Sequence, residues 1–158
     1  MTRISLIGCG RWGTFLGWYA ANYGKCDGVD MYDIPTSPNF IELKNTRKNP
    51  YLSLSDNMEL FDNISAILKN DFIIVSIGCQ YFRGLCKELS SYDLNGKTFL
   101  LAMKGLEEPS GKRMLEIMRP AGGAFREERA RPYAGDERHA HSPFAGPCTL
   151  RRSGAFPH

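Results

Sequence analysis

No apolar run in this sequence approaches the roughly 20 residues that a membrane-spanning helix needs, so no membrane span is expected. The opening Met1-Thr2-Arg3 leads straight into a strand-like run too short for a signal peptide, and a cytoplasmic location follows as the expectation. Cysteines are few and odd in number. Cys9, Cys26, Cys79, Cys86 and Cys148 never fall in a Cys-x-x-Cys spacing, which argues against a zinc ribbon or redox motif and for reduced, individually buried thiols. His139 and His141 stand in an Arg-rich stretch without a third ligand, so no metal site is expected. A basic face is missing too. The formal charge of +3 comes entirely from residues 119–158, because residues 1–118 carry 13 basic and 13 acidic side chains. The neutral part has nothing to track a phosphate backbone, and nucleic acid is excluded as a partner.

The last 40 residues lack Ile, Val, Lys, Asn and Gln altogether. Arg, Ala, Pro and Gly supply 24 of them, whereas residues 1–118 hold ten Ile and only four Ala. A stretch without branched aliphatics or periodicity cannot bury enough apolar surface to offset its ordering entropy. Two accounts fit: a Pro/Gly-rich linker or disordered tail, or a reading frame that slips near codon 119. The loss of Lys beside a surge of Arg, Ala, Gly and Pro suits GC-rich DNA read out of frame and favours the second. The expected organisation is one domain over 1–118 and an atypical tail over 119–158.

What is present upstream is an alternation of strand-like and helical runs. Ile4 to Ile7 reads as a first strand, Trp12 to Tyr23 as a helix broken at Gly24, and Val29 to Tyr32 as a second strand. Phe40 to Lys48 reads as a helix stopped by Asn49-Pro50, and residues 51–62 as irregular or a minor strand. Ile64, Ile67 and Leu68 share a helix face. Phe72 to Ile77 is apolar throughout but for Ser76, the mark of a strand covered on both sides. Tyr81, Leu85 and Leu89 repeat at helical spacing before an Asn95-Gly96 turn. Thr98 to Met103 reads as another buried strand, and Lys112 to Met118 begins a further helix. This rhythm predicts an α/β fold, a Rossmann-like doubly wound parallel sheet, followed by an irregular or disordered tail.

The chemistry concentrates in Gly8-Cys9-Gly10-Arg11-Trp12-Gly13, a Gly-x-Gly-x-x-Gly segment that follows a strand and opens a helix. Gly8 permits the tight turn, Gly10 lets a pyrophosphate approach the backbone, and Gly13 lets helix and strand pack closely. The helix N-terminus then faces the phosphates with free N–H groups. Asp33 lies 20 residues after Gly13, at the end of the second strand. A carboxylate there accepts hydrogen bonds from ribose hydroxyls and repels a 2′-phosphate. Together these predict a dinucleotide site that prefers NAD, with NADP the less favoured form. On the first helix, Trp18, Tyr19 and Tyr23 read as packing residues rather than base-stacking ones, and Cys79 has no neighbour in sequence that would activate it.

Further motifs resemble those of one family. Gly8 to Thr14 has the form GxGxWGT, and Asn45 to Leu52 (NTRKNPYL) is similar to an NxRxNPxYL-type segment. Asp71 to Leu85 (DFIIVSIGCQYFRGL) matches a buried strand, turn and Gln-x-x-Arg helix. Met103-Lys104-Gly105-Leu106-Glu107, followed by Ser110-Gly111-Lys112-Arg113, is similar to paired Lys-Gly-Leu-Glu and Gly-Lys-Arg blocks. Over residues 3–118 the chain resembles the NAD-binding domain of NAD(P)-dependent glycerol-3-phosphate dehydrogenases. It departs at Gly78-Cys79, where the family has Pro-Ser before the Gln.

The resemblance implies an oxidoreductase of glycerol phosphate metabolism and phospholipid biosynthesis that interconverts dihydroxyacetone phosphate and sn-glycerol 3-phosphate. Carried over residue by residue, it implies cofactor contacts from Gly8, Gly10, Arg11, Trp12, Gly13, Asp33, Tyr51 and Lys104. Lys104 is implied to touch the glycerol phosphate as well, and Tyr51 the adenine side. The proton-transferring lysine and the arginine that grips the phosphate belong to the family's helical C-terminal domain, so no catalytic residue is expected in this chain. A homodimer is compatible with the full-length enzyme. Two alternatives remain open. One is a stand-alone NAD-binding or sensing module without catalysis. The other is a Rossmann reductase of the ketopantoate or 6-phosphogluconate type, against which the Lys-Gly-Leu-Glu block argues.

Overall fold

Branched aliphatic runs become five parallel strands, and the segments between them become helices that cross over the sheet. In a computed structural model, which describes residues 2–119, the order is β1 (Arg3–Ile7), α1 (Arg11–Tyr23), β2 (Gly28–Tyr32), α2 (Pro38–Thr46), β3 (Met58–Phe61), α3 (Ile64–Ile67), β4 (Phe72–Val75), α4 (Cys79–Leu89), β5 (Thr98–Leu101) and α5 (Met114–Met118). The tail expected from residue 120 onward, with His139, His141 and Cys148, lies outside the described residues. The strands pair in the order β3-β2-β1-β4-β5, every neighbour parallel. The chain therefore leaves β1 in one direction and later returns to start beside it in the other. That reversal opens a crevice at the carboxyl ends of β1 and β4.

Successive strand residues point to opposite faces, and each face has its own core. Leu6 and Ile74 pack with Met31, Phe40 and Leu43 beneath α1 and α2. Ile7, Ile73 and Val75 pack with Ile67, Phe82 and Leu89 beneath α3, α4 and α5. The far end of the sheet holds a buried polar cluster. Ser5 donates to the Ile67 carbonyl, and Asn70 donates to Ser5 at 3.0 Å and to Asp30 at 2.8 Å. Arg3 closes it with an Nε–H bond to Asp30 at 2.8 Å. No side-chain N or O atom buried among the described residues lacks a partner. No helix among these residues is long and apolar enough to cross a membrane.

Four details differ from the reading of the sequence. β5 is not buried. It is an edge strand, and Leu100 on it is 48% exposed. α2 ends at Thr46, before Asn49-Pro50, because Arg47 turns into the left-handed region at φ 55° and its N–H bonds the Leu43 carbonyl. Met58–Phe61 is a full member of the sheet, paired with β2. Tyr81 faces outward, and the buried stripe of α4 is Phe82, Leu85, Cys86 and Leu89.

Of the three α1 aromatics read as packing residues, Trp18 packs against the core around Leu6 and Ile74, while Tyr19 and Tyr23 lie outside it. The helix buries Gly13, Thr14 and Gly17. A Cβ on Gly17 would meet Met31, Met58 and Leu6 at 3.4 to 3.6 Å, so the helix lies close against the sheet on small residues. Trp18 meets Tyr23 edge-on with ring centroids 5.8 Å apart, and Tyr19 lies tilted against Tyr23 at 5.3 Å. Tyr19 and Tyr23 are exposed.

Candidate functional site

Two helices open onto the crevice without a side chain covering their N-termini. α1 starts from Gly10 and α4 from Gly78. Neither has a side-chain cap or an acidic residue in its first turn. The first N–H groups of a helix have no intrahelical acceptor, and the helix dipole makes that end positive. Both helices thus present unsatisfied donors where β1 and β4 end, an arrangement suited to an anion.

The glycines of the turn have separate duties. Gly8 sits at φ 103°, where a side chain is strained, and a Cβ there would strike the Ser76 carbonyl. A Cβ on Gly13 would land on the Gly8 carbonyl. Gly10 is different: a Cβ there would meet nothing within 4 Å. The first and third glycines hold the turn against its neighbours, while the second leaves space open.

Asp33 follows β2 and binds back to this turn. Its Oδ2 accepts from the Cys9 N–H at 2.8 Å and from the Ser37 hydroxyl at 3.2 Å, and its Oδ1 accepts from the Ile34 N–H at 2.8 Å. A carboxylate offers about four acceptor positions, so capacity remains for a further donor. The Cys9 thiol is buried, and burial, reinforced by Asp33, pushes its pKa far above the ordinary thiol value. It stays protonated and inert.

The crevice divides into two clefts that share Gly10, Ser76, Ile77 and Gly78. The first, about 560 Å³, lies between the segment after β2 and the outer face of α4. Asp33 and Glu88 are its charged lining residues, and no Lys, Arg or His lines it. The second, about 960 Å³, lies between α1 and the end of β5. Arg11 and Lys104 line it, and no carboxylate does. Lys104 is exposed and makes no hydrogen bond or ion pair among the described residues.

The segment carrying Lys104 is pinned from behind. Arg83 on α4 binds Glu107 through two hydrogen bonds, Nε to Oε1 at 2.5 Å and Nη2 to Oε2 at 2.6 Å. Ser110 donates to the same carboxylate. The paired guanidinium, then the Ser110 hydroxyl, hold the Glu107 carboxyl well below the ordinary range, at about 2. Gly105 beside Lys104 adopts φ 112°, and a Cβ there would press on the Cys79 sulfur at 3.2 Å.

Of the residues singled out in the sequence, Gly8, Gly10 and Asp33 meet at the first cleft, and Gly10, Arg11, Trp12, Gly13 and Lys104 at the second. Tyr51 lines neither. It is exposed, with the Arg11 guanidinium over its ring at 4.7 Å. Sequence reasoning missed Ser76 to Gly78, Glu88 and the Arg83–Glu107 pair. The first group carries a readable signal, since it follows the strand beside which the chain order reverses. The others are joined only by folding.

The sequence profile for the N-terminus of NAD-dependent glycerol-3-phosphate dehydrogenase matches residues 3–124. The chain is 31% identical over 121 residues to a glycerol-3-phosphate dehydrogenase (NAD(P)+) of Prosthecochloris aestuarii, covering 73% of this chain and 35% of that protein. It is 28% identical over 122 residues to one of Clostridium botulinum, covering 75% and 37%. The chain thus spans about a third of the length of these curated relatives. Among solved structures, a glycerol-3-phosphate dehydrogenase from Coxiella burnetii shares the fold, with a TM-score of 0.67 and 18% identity over 78% of this chain and 39% of that one. So does one from Saccharomyces cerevisiae, with a TM-score of 0.60 and 19% identity over 77% and 41%.

Proposed function

The chain belongs to the family of NAD-dependent glycerol-3-phosphate dehydrogenase N-terminal domains, and on that footing we propose that residues 1–118 bind NAD(H) in preference to NADP(H) as the cofactor half of such an enzyme. Residues 119–158 are read as a separate, atypical tail. The observation that carries the proposal is the pair of clefts of opposite charge, joined at Gly10 and residues 76–78. A dinucleotide has the matching form: two nucleoside ends joined through a pyrophosphate.

Open space at Gly10 and the uncapped start of α1 suit the pyrophosphate. Asp33 accepts from the adenosine ribose. A 2′-phosphate in the first cleft would face Asp33 and Glu88 with no cation among the lining residues, which is the basis for preferring NAD. Arg11, Trp12 and Lys104 serve the nicotinamide end in the second cleft, and Tyr51 contributes by holding Arg11. Lys104 also meets the phosphate-bearing substrate as an unpaired cation.

When bound, the cofactor would donate a hydride to dihydroxyacetone phosphate in its reduced form and accept one from sn-glycerol 3-phosphate in its oxidised form. This chain's residues bind and orient. The lysine that moves the carbinol proton and the arginine that grips the substrate phosphate are assigned to a helical second domain, and the described residues contribute only the contact from Lys104.

Fluorescence titration of the chain with NADH and NADPH tests the reading. NADH is expected to bind more tightly, and equal affinity or a preference for NADPH would overturn Asp33's role. Asp33→Ala should weaken NADH by about 1–3 kcal/mol. Asp33→Asn keeps an acceptor for the Cys9 N–H while losing the charge, which separates cofactor binding from support of the turn.

A further inference from the structure

We propose that Glu88 reads the base of the dinucleotide, accepting a hydrogen bond from the exocyclic amino group of adenine and so rejecting a 6-oxopurine. The proposal rests on the reading of the first cleft as the adenosine site.

α4 turns one face to that cleft, with Tyr81, Gly84, Leu85 and Glu88 in sequence along it. This is the i, i+3, i+4, i+7 spacing of a single helix face. The face is built for a flat, apolar ring. Tyr81 is 71% exposed, and Ile34, on the wall opposite, is 55% exposed. Between them Gly84 contributes no bulk, since a Cβ there would meet nothing within 4 Å. A purine can lie in that slot against Tyr81, with aromatic stacking worth about 0.5–1.5 kcal/mol beyond burial.

At the far end of the face stands Glu88. Its carboxylate makes no hydrogen bond or ion pair among the described residues, whereas Asp33 already accepts three hydrogen bonds from the protein. The two acids look onto common ground. After burial, Glu88, then Asp33 and Tyr92, push the Tyr32 phenol above its ordinary pKa, and Tyr32 lines the same cleft as the two acids. Asp33 is placed for the ribose, which leaves Glu88 as the free acceptor for the base. Adenine offers an amino donor at C6. Hypoxanthine offers a carbonyl oxygen there, an acceptor set against an acceptor.

The test titrates the 158-residue chain with NADH and with reduced nicotinamide hypoxanthine dinucleotide, which differ at C6 and in the proton that the 6-oxo form carries on the neighbouring N1. NADH should bind about tenfold more tightly or better, the scale of a hydrogen bond to a charged group. In Glu88→Gln the ratio should fall toward one, because an amide can donate to the 6-oxo group as well as accept from the amine. The substituted side chain is exposed and without protein partners, so the melting temperature should not move. Equal binding of both dinucleotides to the unaltered chain would overturn the role of Glu88 and leave the dinucleotide site standing. Discrimination that survives in Glu88→Gln would likewise overturn it. Failure of both dinucleotides to bind would remove the reading of the cleft itself, and the proposal with it.

Discussion

Gly8 and Gly10 are two residues apart, and the structure asks opposite things of them. At Gly8 the backbone stands at φ 103° and a Cβ would meet the Ser76 carbonyl, so Gly8→Ala must strain or shift the turn. Strain of this kind costs about 1–3 kcal/mol before the collision is counted. At Gly10 nothing stands within 4 Å of a Cβ. Gly10→Val should leave the melting temperature nearly unchanged while removing NADH binding, and Gly8→Ala should lower the melting temperature. Thermal melts by circular dichroism and a fluorescence titration on both variants decide the matter. Normal NADH binding by Gly10→Val would mean that the pyrophosphate does not approach there. The division of labour among the glycines was legible in the sequence because spacing between a strand and a helix encodes it. The bond from the Cys9 N–H to Asp33 was not legible. It joins residues 24 positions apart that meet only when β1 and β2 pair.

At the scale of elements, Arg83 and Glu107 tie α4 to the loop that carries Lys104. The reading of the sequence had both residues inside family blocks, yet nothing in either block says that one grips the other. Pattern reading failed at β5 and α1 for a common reason. It equates apolar with buried, whereas Leu100 lies on an edge strand and α1 turns Gly13 and Gly17 inward and Tyr19 and Tyr23 outward. The ion pair makes a pH prediction. Glu107 titrates at about 2 in the folded chain, below its ordinary value of 4.5. A depressed carboxyl stabilises the fold fully above the ordinary value and loses that contribution as pH falls from about 4.5 toward 2. The loop should therefore loosen at the low end of that window, as Glu107 itself protonates near 2, seen as movement of the Gly111 amide resonance, whose N–H bonds the Glu107 carbonyl. Arg83→Gln should raise the midpoint toward 4.5. A Gly111 resonance constant down to pH 2 would show that the pair does not hold the loop.

For the molecule as a whole, the separation of charge between the clefts bears on what a polypeptide of these 158 residues can do. Dehydrogenation needs cofactor and substrate in a near-attack geometry, with a group beside the carbinol oxygen to exchange its proton. Around the second cleft the charged lining groups are Arg11 and Lys104. Arg11 lies over Tyr51, and Lys104 is assigned to the cofactor and the substrate phosphate. Beyond β5 the sheet has no further strand among the described residues, and Trp12 and Leu100, both lining the second cleft, are 55% and 48% exposed. A substrate there would rest on a rim open to water, with one cation for its phosphate and no dedicated proton carrier. The purified 158-residue chain should therefore bind NADH yet leave it unoxidised when dihydroxyacetone phosphate is added, as followed by absorbance of the reduced nicotinamide. Adding the C-terminal portion of a relative such as the Prosthecochloris aestuarii enzyme should restore turnover if it docks on this rim. Lys104→Ala should then abolish the restored rate. Steady NADH consumption by the chain alone would overturn this division of labour and make Lys104 itself the first candidate for the proton donor.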